Sequence, residues 1–357
     1  MTKPTVAVLF GGVSSEHEVS CLTAASILEN LDRERWRPLA VGITKEGAWR
    51  LCPGDLAPSA VADGSWVKDP GLRPAILSPD REHHGLWLFD GKEGWWRSRV
   101  DVLFPALHGK NGEDGAVQGL AQLAGIPMVG CGVAASALCM DKDLAKTFLS
   151  ARGIPVAKWI AVARESRDDA ALAGEVEEKL GWPVFVKPAS DGSSVGVSRV
   201  DGPEGLSAAL DEAFRSGPKV IIEEAVAGAE VECAVMGNRG GAFPSAVLGE
   251  IVPKRALYDY EGKYLDGSTD LYIPARLPDD QTEAIREAAV TAYRLLECAG
   301  LARVDFFALP GGGFLLNEVN TLPGFTSISM WPKLMTASGM TYPEILTRLI
   351  ELALEVD

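Results

Sequence analysis

Short, unbroken apolar runs alternate with amphipathic stretches along most of this chain. Thr5–Phe10 (TVAVLF) contains one hydroxyl and no charge, the pattern of a strand buried on both faces of a parallel sheet. Gly11-Gly12 then predicts a tight turn, and Ser14-Ser15-Glu16 opens a helix reaching about Leu31, with serines available as caps. Trp36–Thr44 and Val100–Leu107 read as further strands, the second ending in the polar loop His108–Gly115. Residues 47–96 are rich in Pro, Gly, Asp and Trp and weakly periodic, so they read as an irregular insertion or a short β excursion. A helix over Val117–Ala124 and a short strand over Ile126–Gly130 complete a doubly wound α/β unit spanning residues 1–137. One helix is expected over Ala135–Arg152, closed by Gly153.

After Gly153-Ile154-Pro155 the pattern changes. A helix over Asp168–Leu180 leads to a strand Trp182–Lys187, a loop of small residues Pro188–Gly196 and a strand Val197–Val200. A helix Glu204–Arg215 precedes the strand Lys219–Glu224, and Val231–Met236 with Ala242–Val252 continue an antiparallel sheet. Arg255–Leu271 (RALYDYEGKYLDGSTDL) is polar, aromatic and punctuated by glycine, and reads as a mobile loop of the lid kind. Amphipathic helices over Gln281–Leu296 and Tyr342–Leu354 flank the last β element.

That element carries the chemistry. In Leu301–Asn320 two apolar runs flank Leu309-Pro310-Gly311-Gly312-Gly313, a turn cluster, so the stretch predicts a β-hairpin. Folding it about the Gly311–Gly312 bond sets Asp305 opposite Glu318 and Arg303 opposite Asn320. Opposed residues share a face, so these four side chains form one polar rectangle while Val304, Phe306 and Val319 point into a core. Two carboxylates ~5 Å apart at an effective dielectric near 20 repel by roughly 3 kcal/mol. Either the face is simply solvated with Arg303 neutralising one acid, or a hard divalent cation resolves the conflict. Asp, Glu and an Asn carbonyl are oxygen ligands that Mg²⁺ accepts, usually with phosphate completing its shell.

Composition narrows the partners. The 357 residues, 47% hydrophobic and 23% charged, suit two or three packed domains. A net charge of −15 argues against a general nucleic-acid binder, and an anionic substrate must be gathered by local cations. No cleavage site follows the first apolar run and no window approaches a membrane span, so neither a signal peptide nor a membrane role is expected. The six cysteines (21, 52, 131, 139, 233 and 298) lack CxxC spacing and suit reduced, mostly buried thiols in a cytoplasmic protein. Four histidines, two of them adjacent at His83-His84, do not suit a His-based metal site.

Other candidates remain two-sided by themselves. Glu16 either favours its helix dipole or holds a substrate ammonium. His108 stands just beyond a buried strand, where open α/β sheets bind ligands, and reads as site lining rather than core. The Ser-Gly loop lacks GK[ST] and is followed by a strand, so it is either a plain hairpin or a phosphate cradle of backbone N–H groups and serine hydroxyls above a lysine. Lys142 and Lys187, that loop, the acidic cluster and a lid together suit a nucleoside triphosphate with Mg²⁺.

Seven stretches resemble the D-alanine–D-alanine ligases of the ATP-grasp superfamily: FGGVSSEHEVS, FPALHGKNGEDGAVQG, CMDKDLAK, VFVKPASDGSSVGVS, IIEEAVAGAEVECAV, YDYEGKYLD, and GLARVDFFAL with NEVNTLPGFTSISMWPKL. They run from residue 10 to residue 334 in the family's order. The resemblance implies an ATP-grasp fold: an N-terminal doubly wound α/β substrate domain (1–137), a central subdomain (138–228) and a C-terminal subdomain (229–357) with lid loop 255–271 and the metal site. It implies ATP and two Mg²⁺ or Mn²⁺ ions, ligation through an acyl phosphate for peptidoglycan synthesis, and a homodimer. Asp305, Glu318 and Asn320 match the metal ligands. Lys142 and Lys187 match the phosphate lysines, and Ser193-Ser194-Val195 the loop over the phosphates. Glu223, Glu224 and Glu230 fall at the adenosine edge. Glu16 matches the anchor of the first D-alanine ammonium, beside His108; Arg303 and the Gly324 N–H match the oxyanion donors. Ser329 and Met330 stand where the second carboxylate is held. Ser193, Tyr264 and Glu16 match a trio tying the lid down, and Lys263 would reach the transferring phosphate. The hinge residues Ala225-Val226 lack the bulkier adenine-stacking side chain, a departure from the family pattern. Competing readings are D-lactate or D-serine as second substrate, a non-catalytic ATP-binding protein, and an ATP-grasp carboxylase. Tyr264 within YEGKY resembles the dipeptide-forming kind, and the motifs supply no biotin or bicarbonate apparatus.

Overall fold

The structure is a computed structural model that describes residues 3–91, 94–192, 195–253, 269–326 and 328–355. Among these residues the strands form three sheets. In the first, Thr5–Gly11 lies between Arg37–Ile43 and the edge strand Val102–Pro105 and runs parallel to both. The expected strand Ile126–Gly130 reduces to a single parallel bridge between Leu103 and Met128. The insertion is more regular than its weak periodicity suggests. It adds Trp49–Leu51, Arg73–Leu77, Gly85–Phe89 and Trp95–Arg99 as antiparallel strands on the Arg37–Ile43 edge. Trp66, from the same insertion, is fully buried and packs edge-on against Phe10, ring centroids 5.0 Å apart.

The second sheet runs Ser198–Val200, Val184–Pro188, Lys219–Glu224, Trp159–Ala163, all antiparallel. Trp159–Ala163 has no counterpart in the sequence reading, because WIAVA is short and lacks turn signals of its own. The third sheet carries the predicted hairpin, Leu301–Ala308 with Phe314–Asn320, beside Ala229–Met236, Gly249–Pro253 and Thr269–Tyr272. The end of the loop expected at 255–271 is therefore strand; residues 254–268 lie outside the described residues.

Two local corrections bear on the site. The expected helix Ala135–Arg152 is two helices, Val133–Met140 and Lys142–Ala151. Asp141 breaks them, because its carboxylate caps the second by accepting the N–H groups of Asp143 and Leu144. The first helix spans His17–Asn30 with Glu16 as N-cap and no side-chain cap; the Ser14 hydroxyl accepts the Glu16 N–H instead.

The C-terminal helix Tyr342–Leu354 is bounded by a capping box of Thr341 and Glu344. Its Ile345, Leu346, Leu349 and Ile350 join one core with Phe10, Ile27, Trp66 and Trp331. The last helix thus packs onto the N-terminal sheet as well as onto its own segment. Ser26 donates to the Tyr342 hydroxyl at 3.0 Å across this junction.

Candidate active site

The hairpin turns on the loop Leu309–Gly313, centred on Gly311 rather than on the Gly311–Gly312 bond. That difference of half a residue would misalign every pair, and a β-bulge at Asn317 restores it. Phe306 pairs with Leu316, whereas Asp305 pairs with Glu318 and Arg303 with Asn320. Bulges re-aim side chains in this way beside functional sites. On the other face Val304, Phe306, Leu316 and Val319 pack against Ile285, Ala289 and Tyr293 of the helix Asp279–Leu295, which leaves the polar rectangle facing a cavity of about 440 Å³.

Arg303 grips Asp305 in a fork, Nε donating to Oδ1 at 2.8 Å and Nη2 to Oδ2 at 2.7 Å. Its Nε also stands 3.0 Å from Glu232. Burial opposes the guanidinium charge, yet Asp305 and Glu232 hold Arg303 protonated far above its ordinary range. Asn320 donates to Asp305 at 3.0 Å, and Lys142 stands 3.5 Å from Glu318. Asp305, Glu318 and Asn320 thus share one wall. Among the described residues no three His, Cys, Asp or Glu side chains are grouped to hold a metal; what this wall could offer a cation is two carboxylates and an amide oxygen. That is the oxygen chemistry of Mg²⁺.

The opposite wall is basic. The break at Asp141 puts Lys142 at the first position of its helix, where its backbone N–H donates to Ala189 and its ammonium to the Asp191 carbonyl, both at 2.8 Å. This ties the helix to the Ser-Gly loop. Lys187, near the end of the strand Val184–Pro188, meets Glu223, which Lys146 meets from behind. Burial favours the neutral acid, but Lys187 and Lys146 together hold the Glu223 carboxyl below the usual range. Glu224 accepts the Lys158 N–H at 2.8 Å; Glu223, Glu224 and Glu230 all line the cavity, together with the apolar Phe185, Val226 and Phe307.

At the N-terminal end Glu16 is buried against two loops. A Cβ on Gly109 would lie 2.6 Å from its carboxylate, at a left-handed backbone (φ +66°) that favours glycine, and one on Gly192 would lie a tight 3.1 Å away. His108 contacts Thr23 Oγ1 at 2.9 Å through Nε2, and Leu322 O at 3.2 Å through Nδ1. A carbonyl only accepts, so Nδ1 carries the proton. Glu113, 3.3 Å from Nδ1, raises the His108 pKa against the effect of burial, while burial pushes Glu113 itself up. Gly324, Ser329 and Met330 line the same end. Ser329 is the N-cap of the helix Met330–Ala337, whose first turn faces the cavity.

Every predicted site residue within the described residues lines this one cavity, Val195 included. Ser193, Ser194, Lys263 and Tyr264 lie outside the described residues. Sequence reasoning missed Lys146, Glu113 and Glu232, the partners of Glu223, His108 and Arg303. Lys146 carried a signal in CMDKDLAK, four residues after Lys142 and so one helical turn on; Glu113 and Glu232 carried none. Nine carboxylates and four lysine or arginine side chains line the cavity among the described residues. Such a surplus of negative charge repels a triphosphate unless cations accompany it.

Known proteins resemble this chain over nearly its whole length. Family models described as "D-ala D-ala ligase N-terminus" and "D-ala D-ala ligase C-terminus" match residues 5–131 and 148–351. The chain is 47% identical over 358 residues to the D-alanine–D-alanine ligase of Caldicellulosiruptor bescii, covering 99% of this chain and 96% of that protein. It is 45% identical over 361 residues to that of Mycolicibacterium gilvum, covering 98% and 96%. Among solved structures, the VanG D-Ala:D-Ser ligase from Enterococcus faecalis superposes with a TM-score of 0.89 at 39% identity, covering 99% of this chain and 100% of that one. The D-alanine–D-alanine ligase from Coxiella burnetii gives 0.87 at 35%, covering 99% and 95%.

Proposed function

From the membership of this chain in the D-alanine–D-alanine ligase family, we propose that it joins two D-alanines to D-alanyl-D-alanine at the expense of ATP, for peptidoglycan precursor synthesis. What carries the reading is the convergence of Glu16, Arg303, Lys142, Lys187 and the Asp305–Glu318–Asn320 wall on one cavity. Relatives named as this ligase match over nearly the full chain, which favours the dipeptide over D-lactate or D-serine products.

In this reading Lys142 and Lys187 hold the ATP phosphates, the apolar slot of Phe185, Val226 and Phe307 takes adenine, and Glu230 takes the ribose. Glu16 holds the ammonium of the first D-alanine. The carboxylate of that D-alanine attacks the γ-phosphorus, ADP leaves, and the acyl phosphate remains between the two walls. The amine of the second D-alanine, its carboxylate held at the N-terminus of the Met330–Ala337 helix by Ser329, then attacks the acyl carbon. Arg303 and the Gly324 N–H donate to the oxyanion while phosphate departs, taking the proton that the amine gives up. Asp305, Glu318 and the Asn320 carbonyl would hold Mg²⁺ or Mn²⁺, two ions, which when bound neutralise the phosphates. Phosphoryl transfer is chiefly positioning and charge neutralisation. The division into segments 1–137, 138–228 and 229–357, a dimeric state and a cytoplasmic location belong to the same reading; among the described residues no helix is long and apolar enough to cross a membrane.

The test is phosphate release from ATP and Mg²⁺ on addition of D-alanine, with the product identified by mass and D-lactate and D-serine offered in competition. Preferential depsipeptide or alanyl-serine formation would replace the dipeptide assignment.

A further inference from the structure

A third lysine stands behind the phosphate wall. Lys146, one turn past Lys142, is 2% exposed, a rare state for lysine. It meets one oxygen of Glu223 while Lys187 meets the other, and the Trp159 ring lies 5.8 Å from its ammonium. Lys187 and Glu223 line the cavity; Lys146 does not. A carboxylate paired with Lys187 alone would cancel the charge that Lys187 presents to a phosphate. Two ammonium groups on one carboxylate leave the trio with a net positive charge, and Lys187 is the ammonium member on the cavity side.

We infer that Lys146 is a positioning residue for the phosphate site: it occupies Glu223 from beneath, so that Lys187 keeps its charge and its direction for the nucleotide phosphates. This rests on the reading of Lys187 as a phosphate-binding lysine. Burial pulls the Lys146 ammonium below the usual lysine range while Glu223 opposes that pull, and the Trp159 ring face favours the cation. Packing alone would be served by a methionine, so the charge is what needs explaining.

The experiment compares the wild type with Lys146→Met, Lys146→Arg and the double variant Lys146→Met/Glu223→Gln. It measures Kd for ATP with Mg²⁺ and for adenosine, alongside dipeptide formation. Lys146→Met is expected to weaken ATP by about tenfold, the scale of one unit of charge near a phosphate at high effective dielectric, with adenosine unchanged. Lys146→Arg keeps the charge and the affinity. The double variant removes one cation and one anion, so its ATP affinity relative to adenosine recovers to near the wild-type ratio. Equal losses for ATP and adenosine, no loss in Lys146→Met, or no recovery in the double variant each overturns the inference. Should Lys146→Met not fold, the double variant decides by itself, since a tenfold loss of ATP affinity relative to adenosine there contradicts the charge argument. A wild type that binds no ATP overturns the functional reading beneath; a wild type that is active with the wrong pattern overturns the role of Lys146 alone.

Discussion

Asp305 and Glu318 face each other across two strands, and the Arg303 fork answers only one of them. Glu318 has Lys142 at 3.5 Å, a cation that the phosphates also claim in the proposed reaction. Glu318→Gln keeps the shape and removes the charge, so Mg²⁺-dependent turnover is expected to fall by several orders of magnitude. Initial rates of phosphate release across a Mg²⁺ titration check this; a variant that keeps most of its kcat takes Glu318 out of the metal set. A glycine carries a structural counterpart. A Cβ on Gly42 would lie 2.4 Å from the buried Trp66 ring, which has nowhere to move within the core it shares with Phe10. Gly42→Ala should cost about 1–3 kcal/mol or more, read as a lower denaturant midpoint. Unchanged stability would mean that the tryptophan repacks.

Elements aim these residues. Asp141 ends one helix and caps the next, and Lys219 ties it down at 2.7 Å while also reaching Asp143 at 3.0 Å. Lys142 is thereby held at a helix start against Ala189 and Asp191. Asp141→Ala should lose about 1 kcal/mol of stability with the cap and weaken ATP binding besides. Chemical denaturation and a nucleotide titration separate the two effects, and an unaltered Kd for ATP would show that the Asp191 carbonyl seats Lys142 unaided. The hairpin was legible as an element because its apolar alternation and glycine cluster are local signals. Its turn was displaced by half a residue, and the Asn317 bulge was invisible, because several glycines in a row fit more than one turn. The helix break at Asp141 was missed for a similar reason: apolar periodicity runs through it, and only the capping geometry marks the end.

Across the molecule, the cavity collects walls from the second and third sheets and from loops at the end of the first, and the C-terminal helix binds the first and last segments through one core. Its lining is acid-rich among the described residues, so nucleotide and metal should stabilise the fold together. At a hundredfold excess over Kd, ATP with Mg²⁺ is expected to add about 2.7 kcal/mol, read as a rise in Tm, and ATP with a chelator far less. Equal shifts with and without the metal would contradict the electrostatic account. The strand at Thr5, the hairpin, the pairing of Asp305 with Glu318 and the strand that carries Lys187 could be read from the chain, because they follow from periodicity, turn chemistry and short-range spacing. The second lysine on Glu223, the Glu113 behind His108, the Glu232 beside Arg303 and the seat of the last helix on the first sheet could not. Most join residues distant in sequence or buried behind a first layer, and Glu113 meets His108 through a loop whose path no periodicity sets; burial sets what a charge does only once the layers have packed.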